Sequence, residues 1–274
     1  MRGTINGFTR MLAVMVVMLI AGGAALHFAT SAARAQADQD TPAAPPLSSD
    51  CQTPGITISG DVPLAHVTEV LKTRKVIKIL AIGASASGGR EASDNSYYGI
   101  IEAVLEKTIP GLDVKIVNKG ISGELASDAA ERLRTQVALV KPDLVLWQLG
   151  THDALRQVPV EEFSATVSDT LTWLKRHDVD VVLVGLHYLR RMALDPHYQA
   201  IRAALNRIAE EHKVLRIGRY EAMQVIEQSR TATDKSPPNE FSLTEAGYSC
   251  LAEYVVRAVT SGVFARNVVV KPRK

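Results

Sequence analysis

From residue 76 onward, short apolar runs alternate with longer stretches whose apolar residues recur every three or four positions. Val76–Ile82 is apolar and β-branched and stops at Gly83, which predicts a buried strand. Val114–Ile116 leads into Asn118-Lys119-Gly120, and Leu144–Leu149 ends at Gly150. Val181–Val184 and Val214–Ile217 complete a set of five predicted strands. Between them, Tyr97, Ile101, Val104 and Leu105 recur at helical spacing and stop before Pro110. Leu125, Ala129, Leu133 and Val137 stand four apart, and Val160, Phe163, Val167, Leu171 and Leu174 form another core-facing stripe. A further helix is predicted over Tyr198–His212, a short one over Asp61–Lys72 and a last one over Leu243–Val259. No helix is predicted between the fifth strand and Leu243. Strands that alternate with helices in this way predict an α/β domain whose parallel sheet is covered on both faces.

The first 60 residues lack that alternation. Arg2 and Arg10 lead into Met11–Leu26, no charge recurs until Arg34, and Ala33-Arg34-Ala35 offers small residues where a signal peptidase reads. This is the pattern of a secretory signal peptide over residues 1–35, which predicts a mature chain that starts at Gln36 and is periplasmic or secreted. The alternative is an uncleaved membrane anchor, because the charge-free run could nearly span a bilayer. Residues 36–60, with Pro42, Pro45 and Pro46 close together, read as a Pro/Ala-rich linker, which leaves 61–274 as the domain.

Composition narrows the picture further. An apolar fraction of 46% with 22% charged residues excludes wholesale disorder. The 31 basic and 29 acidic residues become 28 and 29 once residues 1–35 are removed, so charge gives no case for a nucleic-acid partner. Two cysteines exclude a disulfide-dense scaffold and a Cys-rich zinc module. Export permits Cys51 and Cys250 to pair, which would staple the start of the domain to its last helix. Two unpaired buried thiols are the other reading.

In open parallel sheets, binding groups gather beyond the carboxyl ends of the strands. Those ends carry Gly83-Ala84-Ser85, Asn118-Lys119-Gly120, Gly150-Thr151-His152-Asp153 and Gly185-Leu186-His187. A serine and two histidines among small residues suggest a pocket with a nucleophile. Nucleotide motifs fail. Gly83 and Gly88 have the spacing of a phosphate loop, but Gly89-Arg90 follows where Lys and then Ser or Thr are needed. The G-x-S-x-G elbow fails as well, because Ser87 stands where its last glycine belongs.

The four strand-end turns resemble the blocks of the SGNH/GDSL hydrolase superfamily, over about Val76 to Val259. Ile82-Gly83-Ala84-Ser85 is similar to the first block, with Ser85 in the nucleophile's place and Ala84 where Asp is usual. Gly120 matches the second block, whose glycine amide helps to form the oxyanion hole. Leu149–Ala154 matches the third, with His152 in place of the usual Asn. Leu243-Thr244-Glu245-Ala246-Gly247-Tyr248 resembles the stretch after the catalytic histidine, which sets Ser242 at the histidine position and Asn239 at the aspartate position. The resemblance implies a three-layer flavodoxin-like fold with a five-stranded parallel sheet. It also implies an acyl ester as substrate, on a small molecule, a glycan or a lipid, with no metal or organic cofactor.

The replaced pair changes the chemistry expected. A serine hydroxyl attacks efficiently only when a base takes its proton, and neither Asn239 nor Ser242 can serve as that base. Ser242-Leu243-Thr244-Glu245 reads instead as a capping box that opens the last helix. His152 is open to three roles: an oxyanion donor, a substitute base for Ser85, or a structural strand-end residue. His187 reads as a rim residue beside Tyr188, His177 as a solvated helix cap, and Asp153 as a brace for its own turn. Tyr97 fits either the helix core or a substrate entrance. Two functions follow. One is an exported serine ester hydrolase with an impaired site, and the other is an inactive SGNH-fold protein that binds an acylated glycan or a protein partner.

Overall fold

The computed structural model describes residues 44–84, 97–232 and 241–265. The predicted strands are all present: β1 Val76–Gly83, β2 Asp113–Asn118, β3 Leu144–Gln148, β4 Asp180–Val184 and β5 Leu215–Ile217. They form one parallel sheet in the order β2-β1-β3-β4-β5. Every residue of β3 is buried, as a strand covered on both faces requires. The direction of strand addition reverses at β1, so the crevice beside the carboxyl ends of β1 and β3 is the topological switch point, where ligands of such sheets bind.

Helices α1 Ala65–Thr73 and α2 Tyr97–Thr108 lie on one face, and α3 Ala126–Val140 lies on the other. The short helix α4 Thr151–Leu155 follows β3, and α5 Val160–Arg176 and α6 Pro196–His212 pack beside α3. Residues 219–232, for which the periodicity predicts nothing, form α7 Arg219–Ala232. The last helix, α8 Glu245–Phe264, packs against α1 and α2 and is buried along most of its length. Its start corrects the sequence reading. The N-cap is Thr244, whose extended backbone lets its Oγ1 accept the Gly247 amide at 3.1 Å, while Ser242 sits in the preceding 3₁₀ turn Phe241–Leu243.

Residues 44–60 carry little regular structure and run as a strap along the domain. Cys51 and Cys250 are joined by a disulfide with Cα atoms 5.1 Å apart, and both are buried. The Tyr254 hydroxyl donates to the Cys51 carbonyl at 2.9 Å, the Ser48 amide to Glu253 Oε2 at 2.8 Å, and the Gly218 amide to the Ile58 carbonyl at 2.7 Å. Trp147 is fully buried in β3. Trp173 is only half-buried and stacks on His177 with ring centroids 4.0 Å apart. His177 itself caps α5, its Nδ1 2.8 Å from the Trp173 carbonyl.

Candidate active site

Two glycines shape the carboxyl edge. Gly83 has φ +97° and sits so close to β3 that a Cβ there would lie 2.1 Å from the Gln148 carbonyl oxygen. That same carbonyl accepts the Ala84 amide at 2.9 Å, which fixes the chain as it leaves β1. Gly150 has φ +95°, and a Cβ there would lie 2.6 Å from the Leu186 side chain. Only glycine meets both demands at once, so β1 and β3 turn sharply outward at neighbouring points.

Beyond these turns lies a cavity of about 230 Å³, walled by Ala84, Thr151, His152, His187 and Tyr248 among others. Ser85 and Asn239 fall outside the described residues, and Ala84 brings the chain to the cavity wall one residue before Ser85. Gly120 lies in the buried turn after β2, where its amide donates to Asn118 Oδ1 at 3.0 Å. That loop is braced from behind by buried Glu124, which holds Arg132 Nε at 2.7 Å, while Arg132 Nη2 donates to the Lys119 carbonyl at 2.8 Å.

His152 occupies the second position of α4, with its ring at the cavity. Partial burial holds its pKa below the usual 6.5 and Arg156 pushes the same way, with Asp153 opposing them. Among the described residues no side chain hydrogen-bonds the His152 ring. Asp153 braces its turn as the sequence suggests, since its Oδ2 accepts the Gly150 amide at 3.0 Å and its Oδ1 accepts the Ala126 amide at 2.8 Å. Burial raises the Asp153 carboxyl, and the two amides pull it back. Thus the carboxylate next to His152 is spent on backbone and does not orient the imidazole.

His187 is a buried part of the cavity wall rather than a rim residue, and its partner is one that sequence reasoning missed. Its Nε2 lies 2.9 Å from Nη1 of Arg219, a side chain with no exposed surface. A guanidinium can only donate, so Nε2 accepts and the ring proton sits on Nδ1. His187 is therefore a neutral histidine whose basic nitrogen is already occupied. The Arg219 guanidinium also lies 5.2 Å from the centre of the Tyr248 ring, and Tyr248 meets the rings of Tyr97 and His187 edge-on at 6.2 Å. Burial lowers the Arg219 pKa and raises that of Tyr97. Tyr97 thus belongs to α2's buried face and reaches the cavity only through its contact with Tyr248. No residue type or spacing signalled Arg219. It opens a helix whose apolar pattern is weak, and its burial is visible only in the folded chain.

Three comparisons place this geometry among known proteins. The profile of the Non-GDSL lipase-like family matches residues 50–265. The chain is 31% identical over 111 residues to an arylesterase of Vibrio mimicus, a match covering 40% of this chain and 54% of the relative, so it spans about half that esterase's length. It is 25% identical over 189 residues to an acetylxylan esterase of Geobacillus stearothermophilus, covering 63% of this chain and 84% of the relative. The crystal structure of Axe2, an acetylxylan esterase from the same organism, superposes with a TM-score of 0.54 at 24% identity, over 67% of this chain and 94% of that one. The last likeness speaks for the fold.

Proposed function

Given that the chain belongs to the Non-GDSL lipase-like family, within the SGNH hydrolase superfamily, we propose that it is an exported protein whose carboxyl-edge cavity takes an acyl ester and hydrolyses it slowly. The observation that carries this reading is a cavity at the switch point, one residue from Ser85, whose described wall holds histidines and no carboxylate. The N-terminal pattern and the buried Cys51–Cys250 bond support export to an oxidising compartment.

In the reaction, Ser85 Oγ would add to the ester carbonyl carbon, the C–O bond to the alcohol would break, and water would then release the acid from the acyl-serine. The Ser85 proton needs an acceptor at the first step. Asn239 and Ser242 supply none, His187 Nε2 is already hydrogen-bonded by Arg219, and the His152 ring has no orienting acid. The proton therefore passes to water, and the attack is slow. What remains is stabilisation of the tetrahedral oxyanion by the Ser85 amide, the His152 ring and the Gly120 amide, the last sharing its bond with Asn118.

The test is a fluorophosphonate probe on the mature protein together with hydrolysis of p-nitrophenyl acetate. We expect sluggish labelling at Ser85 and a turnover that Ser85→Ala lowers only a few-fold. Losing triad members costs about four to six orders of magnitude in serine hydrolases, and an oxyanion hole with binding retains roughly 10³–10⁴-fold over water. Brisk turnover that disappears in Ser85→Ala would overturn the impairment. A complete lack of labelling and hydrolysis, with ligand binding retained, would favour the inactive protein that binds an acylated glycan or a protein partner.

A further inference from the structure

The charge around the cavity is lopsided, although the chain without residues 1–35 is nearly neutral. Among the described residues of its wall none is acidic, and Arg191 is the one that carries a fixed charge. Three buried carboxylates among the described residues are matched. Asp153 is held by two backbone amides, Glu227 takes Arg190 Nη2 at 2.7 Å, and Glu124 takes Arg132. Arg219 lies behind the wall, with two wall residues, His187 and Tyr248, resting on its guanidinium. Arg156 follows wall residue Leu155 in the chain, and its charge is felt at His152. Neither Arg156 nor Arg191 forms a salt bridge with a described residue.

The same wall has an apolar side. Leu155 and Leu243 are 36% and 49% exposed, and both line this cavity with buried Leu189. Large apolar side chains left open to water beside a positive charge suit a ligand with an oily part and an acidic part.

Resting on the reading that this cavity takes acyl esters, we propose that it selects esters that also carry an anionic group, a carboxylate or a phosphate. Arg191 meets that group at the rim, and the acyl chain lies against Leu155, Leu189 and Leu243. A planar guanidinium offers paired donors to either anion, so the two share one mode of recognition.

Slow turnover makes the test a binding measurement. Three acetyl esters are titrated calorimetrically into the mature protein: of methyl glucoside, of methyl glucuronide, and of glucose 6-phosphate. We expect one or both anionic esters to bind about tenfold more tightly than the neutral one, the scale of one charge-assisted hydrogen bond. Whichever gains identifies the anion. The preference should shrink to about twofold in Arg191→Gln, reverse in Arg191→Glu, persist in Arg191→Lys, and weaken with added salt. Arg191 is exposed, so these variants should fold, as their circular dichroism would report. Equal binding of all three esters to the unaltered protein overturns the proposal and leaves the ester reading standing. Failure of all three to bind or be hydrolysed removes that reading and this proposal together.

Discussion

The two edges of the sheet use their ionisable groups in opposite ways. At the amino edge the acids are spent on architecture. Buried Asp143 accepts Arg74 Nη2 at 2.6 Å and the Lys78 amide at 2.9 Å, and Asp180 accepts the Val67 amide at 2.9 Å in the first turn of α1. Each carboxylate closes a backbone donor that would otherwise be left bare, and Asp180 also complements the dipole of α1. At the carboxyl edge the chain turns away at Gly83 and Gly150 and leaves a cavity with imidazoles at its wall. The described acid beside those imidazoles, Asp153, is likewise consumed by backbone amides. The contrast shows that a histidine at a strand end is not a base by position alone. It needs a free acceptor nitrogen and an acid to orient it, and this edge assigns its acid elsewhere.

Supplying the missing pair should change that edge most. Asn239→Asp with Ser242→His is expected to raise hydrolysis of p-nitrophenyl acetate by at least about 100-fold, because triad members act as a unit. Each single change should yield far less, and Ser85→Ala should abolish the gain. Steady-state kinetics of the five proteins decide it. A double variant no faster than the unaltered chain would show that the cavity is not a dormant triad site.

Stability should be sensitive elsewhere. Replacing Cys51 and Cys250 with alanine removes a link across 199 residues of chain, and urea denaturation should show a loss of about 4 kcal/mol. Asp143→Ala should cost less, about 2 kcal/mol. Arg74 is 44% exposed and can turn to water, so the penalty comes mainly from the stranded Lys78 amide. Ester hydrolysis by Asp143→Ala should equal that of the parent under folding conditions. A change in rate there would mean that the two edges are coupled, which their separate networks do not suggest.

The sheet was readable because its strands are buried on both faces. A run such as Leu144–Trp147 has no polar interruption, and the stripes of α3, α5 and α6 keep strict helical spacing. Helix α7 was not readable, because its buried positions include Arg219 and Glu227, polar residues that break the apolar stripe left by Tyr220, Met223 and Ile226. The same residues hold much of the unread part of the site. Glu227 ties the segment before α8 through the Phe241 amide at 3.3 Å, and Arg219 fixes the tautomer of His187. Sequence identified which turns would meet at the carboxyl edge, because strand ends are countable. It did not reveal the hydrogen bonds that decide what each histidine can do, since those depend on side chains brought in by a helix without a legible pattern. The start of α8 makes the same point on a smaller scale. Ser242 and Thr244 both suit an N-cap by type, and only the backbone bend after Leu243 selects Thr244.

The smallest effect bears most directly on the contrast. In the fold, His152 is harder to protonate than a free histidine, since burial and then Arg156 disfavour the imidazolium, and Asp153 only partly offsets them. Its ¹³Cε1 resonance should therefore titrate below 6.5. Because the folded pKa lies below the unfolded one, the neutral ring favours the fold above about pH 6.5, and that contribution is lost as pH falls through the lowered folded value. Arg156→Gln removes one of the two causes while leaving the burial, so it should move the midpoint up. The change is useful because the Arg156 side chain is exposed and makes no ion pair with any described residue. A midpoint above 6.5 in the unaltered protein would demand a carboxylate close to the ring. His152 would then have the orienting acid a base requires, and His152→Asn would become the variant that separates base from oxyanion donor. A midpoint below 6.5 keeps the imidazole neutral and unoriented at neutral pH, the state of a hydrogen-bond donor rather than of an activated base.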